Sequence, residues 1–355
     1  MEAIVLVGGL GTRLRPLTLD TPKPMLSVAG VPFLTHQLAR LAAVGVDHVV
    51  LATSYRAEVF EEHFGDGSTL GLRLDYVTET EPLGTGGGIR NVAGMLTSGS
   101  AEPVIVLNGD VLSGHDIAAQ LSLHRNAGAA VTLHLVRVDD PRAFGSVPTD
   151  EAGRVTAFVE KSPEPVSDQI NAGCYVFRRS VIDTIPAGEV VSVERVTFPQ
   201  LLAADEVVLG YVDNSYWLDM GTPAAIVQAS ADLVRGVAPS PAVAAPAEAL
   251  VAASADVHGS AVVHGGSTVA DGATVGAGAV VDTSIVLTGA RIDDGAEIIR
   301  SVIGADAVVG DGCRLVDVVV GAGAHLGARN ELVCGARVWP GVTLPDVGVR
   351  FSTDA

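Results

Sequence analysis

Residues 8–24 read GGLGTRLRPLTLDTPKP, a glycine-rich loop carrying Arg13, Arg15 and Lys23 directly after the short apolar run EAIVLV. Glycine lets backbone N–H groups approach an anion closely and adopt positive φ, and the basic side chains supply the charge a polyphosphate needs. The stretch predicts a phosphate cradle at the end of a buried strand. Two known templates do not fit it. A Walker A loop closes on Gly-Lys-Ser/Thr just before a helix, whereas Lys23 stands far downstream between Pro22 and Pro24, which argue against helix there. A Rossmann fingerprint needs a third glycine where Leu14 follows Gly9 and Gly11. The loop is of a third kind, long enough to wrap a triphosphate.

Outward from the loop, VPFLTHQLARLAAVG places Leu34, Leu38 and Leu41 at helical spacing, and DHVVLAT, LRLDYV and VIVLNGD read as strands separated by helical stretches. This alternation predicts an α/β domain with a Rossmann-like, mostly parallel sheet covered on both faces. Ligands of such sheets bind at the carboxyl ends of the strands, where both the glycine-rich loop and Asn108-Gly109-Asp110 fall.

The segment 236–250, GVAPSPAVAAPAEAL, lacks periodicity and reads as a linker between a domain at 1–235 and a second at 251–355. Beyond it an apolar residue recurs every six. Val251, Val257, Val263, Val269, Val275, Val281 and Leu287 keep that spacing; a five-residue step leads to Ile292 and Ile298, another to Ile303, Val309 and Leu315, and a third to Val320, Leu326, Leu332, Val338 and Leu344. One apolar residue per hexad, with small turn-forming residues between, predicts a left-handed parallel β-helix of roughly five or six coils.

Composition limits the function. The chain of 355 residues is 48% hydrophobic and 4% aromatic, which suits two globular domains with aliphatic cores. A formal charge of −19 argues against nucleic acid or an anionic membrane as partner. The first apolar run is too short for a signal segment or a membrane span, so a cytoplasmic protein is expected. Cys174, Cys313 and Cys334 have no metal or disulfide spacing. Among the 22 basic residues only Lys23 and Lys161 are lysines. A lysine in so arginine-rich a chain points to sites that want a compact ammonium, such as a tight phosphate contact.

The carboxylates Asp110, after the strand VIVL, and Asp219, in YWLDMGTP, each end an apolar run at a glycine turn, and together are candidates to hold one Mg²⁺ against phosphates. Glu160 and Lys161 in FVEKSPEP can divide duties, the ammonium taking a phosphate and the carboxylate accepting sugar hydroxyls. TEPLGTGGG, residues 80–88, offers another glycine-rich turn before a helix. None of the nine histidines has paired ligand spacing.

Taken in order, GGLGTRLRPLTLDTPKP, EPLGTGG, LNGD, FVEK, INAGCYVF and WLDMGTP resemble the nucleotidyltransferases that make nucleotide sugars. With the hexad repeats and the ending NELVCGARVWPGVTLP, the likeness is greatest to their short two-domain mannose-1-phosphate guanylyltransferase (GDP-mannose pyrophosphorylase) branch. The resemblance implies nucleotidyl transfer from GTP to mannose 1-phosphate with release of pyrophosphate. It implies that Gly8, Gly9, Gly11, Thr12 and Arg13 hold the triphosphate, with Lys23 on its phosphates and Asn108 among the nucleotide contacts. Glu81, Leu83, Gly84 and Thr85 would line the base and ribose pocket, and Asp110 and Asp219 would bind Mg²⁺. Glu160 and Asn171 would take sugar hydroxyls, Lys161 the sugar phosphate, and Gly145 would pass its backbone close to the sugar. Arg13, Lys23 and Lys161 would be the catalytic charges. Ser162 and Ser146 depart from the family's commoner residues beside the sugar contacts.

The base and sugar are the open choices: guanine presents donors that Glu81 can accept, whereas uracil presents one donor between two carbonyls, and the EPLGTGGG stretch also resembles guanylyltransferases acting on heptose phosphates. A non-catalytic nucleotide-sugar-binding relative should lack part of the charged set, all of which is present here. Acyl transfer by the repeats would need a histidine base, and His258, His264 and His325 read more simply as polar turn residues. Flat solenoid faces predict a homo-oligomer.

Overall fold

A computed structural model describes residues 1–54 and 56–350. They form two compact units, each built from two pieces of chain. One comprises Met1–Leu10 and Gln37–Trp217, the other Gly11–His36 and everything from Leu218 onward.

In the first unit, β1 (Glu2–Leu6), β2 (His48–Thr53), β3 (Arg73–Thr78) and β4 (Pro103–Asn108) lie in the order β3-β2-β1-β4, all parallel. Between them run α1 (Phe33–Ala43), α2 (Ala57–Phe64) and α3 (Gly84–Val92), which gives the first half of a Rossmann-like order. Consecutive residues Ala3, Ile4 and Val5 of β1, and Val49, Val50 and Leu51 of β2, are wholly buried, so both faces of the sheet are covered. That is why these strands read as unbroken apolar runs rather than as alternations.

The remaining strands make the sheet mixed. After α4 (Ile117–Ala127) come β5 (Val131–Arg137), β6 (Gly145–Ser146), β7 (Val159–Glu160) and the ten-residue β8 (Gln169–Arg178), then α5 (Arg179–Thr184), α6 (Phe198–Ala203) and β9 (Val208–Val212). β8 runs antiparallel between β4 and β5, β9 joins β5 in parallel, and β6 and β7 form a short antiparallel flap on β8. Opposite β5, the register of β8 shifts between Asn171 and Tyr175, where Gly173 takes φ +77°. A glycine supplies that backbone without a Cβ clash.

In the second unit, α7 (Pro223–Val234) is capped by Thr222, whose hydroxyl accepts from the Ala225 amide at 3.2 Å. It precedes three sheets of short parallel strands, of six, six and five members, that alternate along the chain as in the expected β-helix. The first begins at Ala249. Val269, Val286, Ile303, Val320 and Val338 point inward from one sheet, Val275, Ile292, Val309 and Leu326 from the next, and Val281, Ile298, Leu315 and Leu332 from the third.

One register in this repeat differs from the sequence expectation. The inward residue of the second coil is Val286, fully buried, and Leu287 lies one place beyond it. The three five-residue steps are therefore Val281 to Val286, Ile298 to Ile303 and Leu315 to Val320, and all three turn the same corner. The reason is physical. The strands Ser267–Val269, Ile285–Val286, Val302–Ile303 and Val319–Val320 are buried on both faces, so apolarity alone does not identify their inward side. Three serines tighten that corner: the amides of Ser284, Ser301 and Val318 donate to the hydroxyls of Ser267, Ser284 and Ser301, each 17 residues earlier, at 2.9 to 3.0 Å.

Candidate functional site

In the first unit the carboxyl ends of β1 and β4 are neighbours, with Leu6 paired to Asn108. The Gly109 amide donates to the Leu6 carbonyl at 2.9 Å, and a Cβ on Gly109 would stand 2.5 Å from that oxygen. Only glycine lets the two strand ends close so tightly. Beyond β1, the Gly8 carbonyl accepts from the Ser54 hydroxyl at 2.6 Å, while Gly9 has open space around it.

The turn that carries Asp110 is clamped from behind. Gln37, buried on α1, donates its amide to the carbonyls of Asn108 at 2.9 Å and Val111 at 3.0 Å. Nothing in the sequence pattern marked Gln37 beyond a polar residue between Leu34 and Leu38. On the other side, the buried Tyr175 hydroxyl accepts from Asn171 Nδ2 at 2.8 Å and is also hydrogen-bonded to Asn108. Burial, with Glu194 adding to it, pushes the Tyr175 phenol well above its ordinary range, so it stays a neutral hydroxyl. Tyr175 thus ties together Asn108 and Asn171.

Gly145, Glu160, Lys161 and Asn171 are gathered by β6, β7 and β8. Glu160 pairs with Gly145 across the flap, and Ser146 with Ile170 of β8. A Cβ on Gly145 would stand 2.7 Å from Glu160 Oε2. Lys161 lies 3.4 Å from Glu160, with its ammonium exposed and its backbone at φ +48°, and its amide donates to the Phe144 carbonyl. Both unusual serines have local partners: Ser146 exchanges hydrogen bonds with Ser167 at 2.9 Å, and Ser162 bonds the amide and carbonyl of Glu164.

The glycines of residues 84–88 serve mainly close packing. Gly84 has φ +72°, and a Cβ on it would stand 2.7 Å from the Val191 carbonyl, which accepts from the Gly86 amide at 2.8 Å. Thr85 donates to Glu194 at 2.8 Å and accepts from the Val193 amide. Glu81 is exposed, whereas Glu79, two residues earlier, is half-buried, accepts from the Leu83 amide, and has its carboxyl pushed up by burial.

In the second unit, Gly11 is left-handed at φ +59° and starts the 3-10 turn Thr12–Leu14. Thr18 donates to the Gly11 carbonyl at 2.8 Å, and a Cβ on Gly11 would meet Thr18 and, at 3.2 Å, Lys23. The loop therefore folds back to bring the buried Lys23 against Gly11. Residues Lys23–Met25 form a short 3-10 turn with Pro24 in its first positions, where no amide donor is needed, so the flanking prolines permit one tight turn. Thr12 and Arg13 are exposed. Asp219 ends the strand Trp217–Asp219, and a Cβ on Gly221 would lie 2.6 Å from Asp219 Oδ1 and 2.8 Å from Arg13 Nη2. A carboxylate and a guanidinium thus flank one bare Cα.

The histidines of the repeats sit in turns or strand faces without a catalytic partner set. His258 bonds Ser260 at 2.9 Å, His264 lies 3.5 Å from Asp282, and His325 is exposed. Among the described residues, no helix is long and apolar enough to cross a membrane.

Comparison with known proteins places this geometry. Residues 2–236 match the family model described as nucleotidyl transferase, and 246–346 one described as GMPPB C-terminal domain. The chain is 58% identical over its whole length to the mannose-1-phosphate guanylyltransferase of Mycobacterium tuberculosis, covering 98% of that protein. It is 42% identical to mannose-1-phosphate guanylyltransferase 1 of Arabidopsis thaliana, over 63% of this chain and 62% of that one. Among solved structures, HddC from Yersinia pseudotuberculosis superposes with a TM-score of 0.56 at 30% identity, covering 64% of this chain and 97% of HddC; a second structure of it, complexed with GMP-PN, gives 0.54. The parallel β3-β2-β1-β4 core, the loop that follows β1 and the likeness along the whole chain have one common explanation: the chain belongs to the nucleotidyl transferase family.

Proposed function

We propose that this protein transfers the guanylyl group of GTP to mannose 1-phosphate, forming GDP-mannose and pyrophosphate. The observation that carries the reading is 58% identity along the entire length to an enzyme of that name. The sugar phosphate is already an anionic nucleophile, so the protein needs to align two anions and offset their repulsion rather than generate a nucleophile. One phosphate oxygen of mannose 1-phosphate forms a bond to the α-phosphorus as the bond to the β-phosphate oxygen breaks, and pyrophosphate carries away the charge.

Gly8, Gly9, Gly11, Thr12, Arg13 and Lys23 are proposed to hold the triphosphate, with Asn108, Glu81, Leu83, Gly84 and Thr85 on the nucleoside. Gly145, Glu160 and Asn171 are proposed on the sugar and Lys161 on its phosphate. Asp110 and Asp219 are the proposed Mg²⁺ ligands. Both residues are part-exposed, carboxylate oxygens are the hard donors Mg²⁺ takes when phosphate oxygens and water complete its shell, and among the described residues no three His, Cys, Asp or Glu form a self-contained cage. Mg²⁺ would supply neutralisation of the phosphates. We further propose residues 1–235 as the catalytic domain, 236–250 as linker and 251–355 as the repeat domain, in a cytoplasmic homo-oligomer.

A matrix of GTP, UTP, ATP and dTTP against mannose, glucose and heptose 1-phosphates, read by pyrophosphate release with and without Mg²⁺, tests this. GTP with mannose 1-phosphate is expected to be fastest and to need the metal. Equal use of UTP would remove the guanine assignment, and a faster sugar would replace mannose. Light scattering at working concentration should give a multiple of 36.2 kDa.

A further inference from the structure

The outward positions of the first β-helix sheet run Leu250, Thr268, Ile285, Val302, Val319 and Arg337, one per coil. The middle four are buried, whereas Leu250 and Arg337 at the two ends are exposed, and only Arg337 is charged. Arg337 Nη1 donates to the carbonyl of Arg13 at 2.8 Å and to that of Arg15 at 2.6 Å, all three residues belonging to the second unit. These carbonyls lie at the end of the 3-10 turn Thr12–Leu14, where the last carbonyls of a helical turn have no partner within it. A guanidinium there satisfies two acceptors with the two hydrogens of one nitrogen and carries the sign that a helix C-terminus favours. The Arg13 side chain projects from the backbone so held and lies against Gly221 with Asp219.

We infer that Arg337 is a positioning residue for nucleotide binding: through the carbonyls of Arg13 and Arg15, the last coils of the β-helix fix the backbone from which the Arg13 guanidinium reaches the phosphates. This rests on the reading above that the glycine-rich loop holds the triphosphate. It gives the repeat domain a part in the active loop, carried by one side chain that reaches back more than 300 residues in sequence.

Arg337→Met keeps most of the stem and removes the donors. The KM for the triphosphate should rise by roughly tenfold, the loss expected for about 1.4 kcal/mol of hydrogen bonding to a charged group, while the KM for the sugar phosphate stays within about twofold. KM does not depend on how much of the sample is folded, so this split separates positioning from damage to the fold. Because Arg337 acts through Arg13, the double variant Arg13→Ala, Arg337→Met should have the KM of Arg13→Ala alone. An unchanged triphosphate KM in Arg337→Met, a parallel rise in both KM values, or effects that multiply in the double variant would each overturn the inference. Wild-type kinetics in Arg13→Ala would instead sink the reading of the loop.

Discussion

Gln37 shows how much of a site is held by residues that do no chemistry. Its two donated hydrogen bonds fix both carbonyls flanking Gly109 and Asp110. Replacing it with leucine leaves two carbonyls without their donor, at a cost of about 1–3 kcal/mol, and frees the turn that aims Asp110. We predict that Gln37→Leu lowers kcat about tenfold and raises the Mg²⁺ concentration for half-maximal pyrophosphate release; a merely structural role would lower the melting temperature and leave the Mg²⁺ titration unchanged. Asp110→Asn and Asp219→Asn should each slow the reaction by orders of magnitude through weakened metal binding, and near-normal rates in either would remove that ligand. The charged residues were legible in the sequence because charge beside glycine at a strand end is a pattern. Gln37 and Tyr175 were not, since a buried amide or phenol inside an apolar run looks like any core position until its partners are known.

Elements differ in how far periodicity can define them. The parallel strands β1, β2 and β4 were readable as apolar runs, and the hexads as a solenoid. The antiparallel β8 was not, because its neighbours β5 and β4 come from before a flap that sequence order does not disclose. The coil register failed at one position for a related reason: Ile285, Val286 and Leu287 are all apolar, and the strand Ile285–Val286 is buried on both faces. This gives a direct test. Val286→Asp puts a carboxylate inside the coil and should abolish cooperative unfolding or soluble expression, whereas Leu287→Asp should cost about 1 kcal/mol or less; the opposite order would place Leu287 inside. Ser284→Ala should lower stability by about 1–3 kcal/mol in urea unfolding, because the Ser301 amide loses its acceptor.

For the molecule as a whole, acid is the condition to which the core is most exposed. His115 and His134 stack at 3.8 Å between ring centroids, and His124 bonds Thr132 behind them. Burial drives His134 down to about 4; burial, with Arg178 and Arg125, drives His124 to about 4; and His115 falls well below its usual value. All three fold as neutral rings, while the unfolded chain binds their protons from about pH 6.5 downward. The unfolded state therefore holds more protons between about pH 6.5 and 4, and stability must fall as pH drops through that window. Melting temperature should decline steadily from pH 7 to 4, and His124→Gln should flatten the decline; a flat profile for the native chain would contradict the neutral burial. The corner shared by the three five-residue steps bears on the molecule differently. Its serine ladder repeats every 17 residues, each hydroxyl accepting from the amide one coil on while donating to a carbonyl beside it in its own turn, so a stretch such as 284–300 is a repeating cassette. Duplicating it would add one rung to every sheet, but it would also carry Arg337 about 4.8 Å further along the solenoid from the carbonyls of Arg13 and Arg15, so the number of coils is tied to the loop that the last coils hold.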